Sequence, residues 1–249
     1  MLILPTWTFW NIVFYIGFPL TSALAAYADY RNLFDGFRYS KFSNGRGIPS
    51  RIAMVVLYSL PILAATWAAW DYLPNASVIQ MTVFDALLFH FAKRVLEALF
   101  LHKYSGAATV SATMFVAVFY SFVAGMISFL NAQTIPAMDG LFYAGLVFFA
   151  FGEAGNFYHH KLLADLRKDR EGYHIPQGGL FEYVTCPHYF FELVSWFGVA
   201  LLSRHLFALM AFVAMTAYLV ARSAKTRQWY QARFADYPTE RKRMIPFLF

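Results

Sequence analysis

Seven apolar runs, roughly 7–27, 52–73, 78–101, 109–130, 139–160, 180–203 and 205–223, dominate this chain. Crossing a bilayer as a helix takes about 20 mostly apolar residues, and in lipid only helices and closed barrels satisfy the backbone. The runs therefore predict an all-α integral membrane protein with seven transmembrane helices. Composition agrees: of 249 residues 59% are hydrophobic and 14% charged, against roughly 25% charged in soluble domains. Disorder, a coiled coil and a disulfide scaffold are excluded, since Cys186 is the only cysteine and has no partner within the chain. The first run lacks a basic leader and a small-residue cleavage site, so it reads as a retained helix rather than a signal peptide. Its Trp7 and Trp10 suit an interfacial belt.

Charge sets the expected orientation. Seventeen of the 20 basic residues fall on one side if the runs are spans: Arg31, Arg38, Lys41, Arg46 and Arg51; Lys103; Lys161, Arg167, Lys168 and Arg170; and seven from Arg222 to Arg243. The positive-inside rule then puts the N-terminus outside and the C-terminus in the cytoplasm. Two long cytoplasmic loops and a basic tail would cap the bundle, in a bacterial inner membrane or the endoplasmic reticulum. With basic residues confined to gaps between apolar runs, the net charge of +6 fits lipid headgroups or a phosphorylated ligand, and nucleic acid is discounted. With no internal repeat, Gly/Ser linker or low-complexity segment, residues 1–249 read as one membrane domain, expected to be a monomer.

Ionisable residues at bilayer depth are functional candidates by default. His90, Arg94 and Glu97 share a face of the third run, with Lys93 four residues before Glu97. In the fifth run Glu153, Asn156, His160 and Arg167 form a similar stripe, and in the sixth Thr185, His188, Tyr189 and Glu192 lie together beside Pro187. Charge-neutralised packing and interhelical hydrogen bonding compete with a site as explanations. Convergence of the three stripes on one polar cavity is the functional reading. Metal binding is not expected, because adjacent His159 and His160 point about 100° apart on a helix and no His-x-x-His or Glu-x-x-His spacing places two strong ligands on one face within a span. Cys186 has no base fixed beside it, and neither Gly-x-Ser-x-Gly nor Gly-x-Gly-x-x-Gly occurs.

The last hundred residues are more specific. Gly155-Asn156, Leu166-Arg167-Lys168, Tyr173-His174-Ile175-Pro176-Gln177-Gly178-Gly179-Leu180-Phe181, Glu192, Trp196, Tyr230, Phe234-x-Asp236-Tyr237-Pro238 and Ile245-Pro246-Phe247 resemble, in order and spacing, the C-terminal region of the steroid 5-alpha-reductase family. The resemblance is strong over 153–249; the first half matches faintly, through Arg51 and Leu60-Pro61. It implies a seven-helix membrane fold enclosing NADPH, and reduction of a carbon–carbon double bond conjugated to a carbonyl. Hydride goes to the β-carbon, charge develops on the carbonyl oxygen, and a positioned acid stabilises the enolate. Carried over residue by residue, cofactor contacts fall on Asn156, His160, Arg167, Tyr173, His188, Glu192 and Tyr230.

Departures from the pattern matter. The steroid branch usually has Asp and Asn where this chain has His160 and His188. Its Gln-Glu pair before Leu-Pro in the second span, and its Tyr in the third, read here as Tyr58, Ser59 and Ala98. With Glu97 one residue from that last position, an acid and a phenol with exchanged places, Glu97 and Tyr58, are the expected proton-handling pair, and Tyr189 is the next catalytic candidate. Lys93-Arg94-x-x-Glu97, His102-Lys103-Tyr104-Ser105 and Cys186-Pro187-His188-Tyr189 look like the trans-2-enoyl-CoA reductase branch, and Pro187-His188-Tyr189-Phe190-x-Glu192 also looks like the polyprenol reductase branch. The Pro176–Phe181 segment favours a steroid-like enone drawn from the bilayer, with lipid around it. Rivals of other classes are an isoprenylcysteine-type membrane methyltransferase, with no need for a basic loop 161–179, and a non-catalytic sterol or lipid binder, which leaves Asn156, Arg167 and Glu192 without a task.

Overall fold

The computed structural model describes residues 2–33, 47–104, 106–133, 137–168 and 172–249. Arg38, Lys41, Arg46, Ser105 and Arg170, which entered the reading of the loops and motifs, lie outside the described residues. Helices run over Phe9–Tyr30 (α1), Ser50–Ala69 (α2), Val78–Leu96 (α3), Val110–Asn131 (α4), Gly140–Asp165 (α5), Pro187–Ser203 (α6) and Leu206–Arg233 (α7). Ile48–Pro49 (β1) and Ala107–Ala108 (β2) form a two-residue antiparallel ladder. The protein is an all-α, multi-pass, membrane-like fold.

Only four of these helices, α1, α2, α4 and α7, are long and apolar enough to cross a membrane by length and composition. This corrects the seven-span expectation, and the physical reason differs for each remaining helix. α3 has three charges, Asp85, Lys93 and Arg94, within 19 residues. In α5, Glu153, Asn156 and four glycines dilute the apolar run. α6 has 17 residues because Pro187 opens it at the first helical turn, after a 3₁₀ turn over Gly179–Glu182. Correction extends to α7, which continues to Arg233, so Arg222, Lys225 and Arg227 belong to a helix and not to a tail.

Close helix approach fixes the frame. A Cβ on Gly152 would lie 2.4 Å from the Ser195 backbone nitrogen, and one on Gly198 would lie 2.5 Å from that of Phe149. Glycine is therefore what lets the α5 and α6 backbones meet. α1 docks on α7 through a buried ion triad, in which Asp29 meets Arg222 (3.4 Å) and Lys225 (3.1 Å). At the other end of α3, a Ser77/Gln80 capping box starts the helix, and Gln80 Nε2 donates to the Asn131 carbonyl at 3.1 Å. Leu87, Phe91, Val123, Phe207 and Met215 fill the core, while Trp10, Trp67, Trp70, Val118 and Val147 are exposed on the outside. An apolar exterior around a core with buried charges is the inverse of a soluble domain.

Candidate active site

The polar residues of α3, α5 and α6 make two connected networks, one on the wall of a cavity and one behind it. In the rear network His90 Nδ1 lies 2.6 Å from Glu153 Oε1. Lys93 Nζ lies 2.7 Å from Glu153 Oε2 and donates at 2.7 Å to Asn156 Oδ1. Asn156 Nδ2 in turn donates to the His188 carbonyl at 2.9 Å. Both ends of the Asn156 amide are thus engaged, and Asn156 does not line the cavity.

In the front network Arg94 is the hub. Its Nη2 donates to Tyr58 Oη at 2.8 Å, its Nη1 donates to Glu97 Oε2 and its guanidinium lies over the Tyr58 ring. Glu97 opens a π-helical turn, Glu97–Leu101, directly after α3. Its Oε2 also meets His160 Nδ1 at 3.0 Å and His102 Nε2 at 3.8 Å. Glu97, His102 and His160 together bring ligand-type atoms within 4.8 Å of one another, which spacing within single spans concealed because the three come from two elements. Arg94 Nη1, 2.8 Å from His160 Nδ1, stands at that convergence, so a guanidinium is part of the cluster.

The cavity encloses about 240 Å³ between α2, α3, α4, α5, α6 and α7. This is below the roughly 300–1,000 Å³ typical of whole-ligand pockets. His160, Arg167, Tyr173, His188, Glu192 and Tyr230, all expected as cofactor contacts, line it together with Tyr58 and Tyr189. Glu97 does not: its carboxylate is turned to Arg94 and His160 and is 2% exposed. At the mouth Arg167 Nη1 donates to the Lys103 carbonyl at 2.8 Å, Lys103 Nζ donates back to the Arg167 carbonyl at 3.0 Å, and Arg167 stacks on Tyr173 at 4.3 Å. A second cavity of about 230 Å³, walled by Phe18, Phe115, Phe119 and Met215, shares Tyr120 and Tyr218 with the first. Tyr120 donates a long hydrogen bond, 3.4 Å, to Glu192.

Sequence reading missed Arg222 and Thr226 on the cavity wall. Their positions eight and four residues before Tyr230 put all three on one face of α7, and that periodicity was the available signal. The tail reaches the site too: Tyr237 and Thr185 hydroxyls pair at 2.7 Å, and the Thr185 and Cys186 backbone nitrogens donate to the Lys242 and Arg243 carbonyls.

His102 carries a pH signature. Burial first, then the Arg94 charge, push its imidazole down to about 4. Unfolded histidine titrates near about 6.5, so between these values the unfolded chain binds the proton more readily. The stability that neutral His102 contributes is full above the unfolded value and is lost as pH falls toward the folded one, by on the order of 2 kcal/mol at pH 5. Thermal unfolding in detergent should show a drop in midpoint from pH 7 to pH 5 that is smaller for His102→Gln. Equal acid sensitivity in the two proteins would clear His102 of this role.

A multi-pass helical fold with a polar, cation-rimmed cavity joined to an apolar one is the class defined so far. Comparison narrows it. The family model for 3-oxo-5-alpha-steroid 4-dehydrogenase matches residues 107–249. The chain is 33% identical to the 3-oxo-5-alpha-steroid 4-dehydrogenase 1 of Rattus norvegicus and 34% to that of Mus musculus, each over 228 residues, covering 85% of this chain and 85% and 86% of those proteins. It is 43% identical over 110 residues to the steroid 5-alpha-reductase DET2 of Gossypium hirsutum, across 43% of each chain. The chain belongs to the steroid 5-alpha-reductase family, and so is an oxidoreductase of the steroid-reductase type.

Proposed function

We propose that residues 1–249 form one membrane reductase domain that uses NADPH to reduce the carbon–carbon double bond of a 3-oxo-4-ene steroid or closely similar enone. The observation that carries this reading is one cavity wall bearing both a phenol held by a cation, Tyr58 with Arg94, and a cationic mouth at Arg167 and Lys103. The donor set fits the cofactor: Arg167 presents a planar fork for a phosphate, Tyr173 and Tyr230 offer ring faces, and Glu192 and His188 offer polar edges. NADPH, when bound, supplies the hydride to the β-carbon.

The chain's own groups handle charge. Tyr58 donates a hydrogen bond from its hydroxyl to the carbonyl oxygen as negative charge develops there, and the enolate is resolved when its α-carbon takes a proton from water, giving the saturated ketone. Glu97, set between the Arg94 guanidinium and His160, is an orienting group and not the donor. Tyr189, on the same wall, is the alternative phenol. The apolar cavity adjoining at Tyr120 and Tyr218 suits the hydrocarbon body of a substrate taken from lipid. Lys103, Arg167 and Arg222 meet at one cavity, which supports a mouth on the cytoplasmic face. A cysteine introduced at exposed Lys168 should react with impermeant reagent only in inside-out vesicles, and labelling in intact cells would reverse the orientation.

The direct test is NADPH oxidation by purified protein in detergent with three candidates: a 3-oxo-4-ene steroid, a trans-2-enoyl thioester and a polyprenol. The steroid should be turned over fastest. Faster turnover of the thioester would move the protein to the enoyl reductase branch, for which Glu97, His102 and Lys103 are the supporting residues, and no NADPH oxidation with any would sink the reading.

A further inference from the structure

We propose that Arg94 is the positioning residue that aims the Tyr58 hydroxyl, and that the buried chain His160–Glu97–Arg94–Tyr58 acts as one unit tying α5 and α3 to α2. The inference rests on the reading of Tyr58 as the donor to the carbonyl. A phenol has one hydrogen to donate and lone pairs to accept with, whereas a guanidinium only donates. The 2.8 Å contact between Arg94 Nη2 and Tyr58 Oη therefore has a single polarity. Tyr58 accepts, and its own hydrogen is directed to another partner. The guanidinium carbon, 4.8 Å from the Tyr58 ring centroid, holds the ring as well as the oxygen.

Arg94 is itself fixed. Nη1 is held by Glu97 Oε2, and that oxygen lies 3.0 Å from His160 Nδ1. Arg94, Glu97 and His160 are 9%, 2% and 4% exposed, and Tyr58 is 8% exposed, so these contacts are shielded from bulk solvent. The π-helical turn over Glu97–Leu101 adds a residue to the helical register between Glu97 and His102, directly after the Arg94–Glu97 pair; such turns often mark working sites. Arg94 Nε is buried without an acceptor among the described residues, which leaves the two Nη ends to set the guanidinium plane. A lysine ammonium has no such fork and cannot hold Tyr58 and Glu97 in one fixed plane.

The experiment compares wild type, Arg94→Lys, Tyr58→Phe and the double variant with a 3-oxo-4-ene steroid and NADPH. Arg94→Lys should lower kcat about tenfold with NADPH affinity unchanged, yet cost less than about twofold when added to Tyr58→Phe, because its effect runs through the hydroxyl. In parallel, fluorotyrosine incorporated at position 58 should change its ¹⁹F shift in Arg94→Lys, a readout that needs no turnover. Arg94→Lys with wild-type kcat, the same loss with and without the Tyr58 hydroxyl, or an unmoved ¹⁹F signal would each overturn the proposal. Failure of the underlying reading looks different: Tyr58→Phe alone would then retain full kcat. Should Arg94→Lys fail to fold, Glu97→Gln tests the same chain one link further out and should move the ¹⁹F signal in wild-type Arg94 background; no shift there overturns the unit.

Discussion

Tyr58→Phe should lower kcat by about 100-fold or more, the lower range for loss of a general acid, while leaving NADPH affinity within about twofold. The substitution removes a single oxygen from a ring whose packing is otherwise retained, beside Tyr120 at a centroid distance of 6.1 Å. It also strips Arg94 Nη2 of its acceptor, so part of the loss will be a buried donor left unpaired. Stability measured alongside separates the two effects: a moderately lower melting point with full turnover would mean that Tyr58 serves only Arg94. In that event Tyr189, on the same cavity wall, becomes the residue to test. Glu97→Gln is informative by contrast. If Glu97 orients through Arg94, its loss should be milder than that of Tyr58 and should not shift the acid limb of the rate profile.

NADPH should outcompete NADH by tenfold or more, and Arg167→Ala should abolish most of that preference. A 2′-phosphate accepted by Arg167 gains one or two charge-assisted bonds, each worth roughly 1.5–3 kcal/mol before desolvation, and about 1.4 kcal/mol is tenfold in affinity. The fork is presented in a fixed pose, because one end is bonded to the Lys103 carbonyl and the plane rests on Tyr173. Arg167→Lys is the control for collapse of the contact between Lys103 and Arg167, since it retains charge without the fork. KM for NADPH should rise in Arg167→Ala with KM for NADH little changed. A parallel rise in both would assign Arg167 to holding the loop, and equal use of both cofactors by wild type would remove the phosphate from the reading altogether.

Much of this arrangement was visible in residue order, and the remainder was hidden for identifiable reasons. Helical spacing grouped His188, Tyr189 and Glu192, and the three do share a wall with His160 from another helix. Hydropathy runs located the helices but overstated how many can span lipid, because run length says nothing about which helices are sheathed by others. α3, α5 and α6 contain Lys93, Arg94, Glu153, Asn156 and Glu192 at buried positions or nearly so. Part of what neutralises them is local, as with Glu97 three residues from Arg94, and part comes from elsewhere in the chain. The partners of Arg222 and Lys225 lie 193 and 196 residues away at Asp29, and the Tyr58 hydroxyl that Arg94 also holds lies 36 residues away. No periodicity encodes such pairs. Asn156 shows a further limit of residue order: its motif is intact, and Lys93 and the His188 carbonyl occupy its amide, contacts that spacing cannot foresee.

The cavity wall draws on residues from Met54 in α2 to Tyr230 in α7, and this spread has a biosynthetic consequence. A chain still being made has no complete wall until α7 has emerged and packed against α1 through Asp29. On the proposed reading, cofactor capture reports that assembly is finished, and a ligand that binds only the finished fold stabilises all of it, by about 2.7 kcal/mol at a concentration 100 times its Kd. Substitutions far from the cavity, at Asp29 or Gly152 for example, will mimic lost chemistry when assayed with little cofactor and recover when it is abundant. Rescue by excess NADPH thus separates residues that build the protein from those that run its reaction.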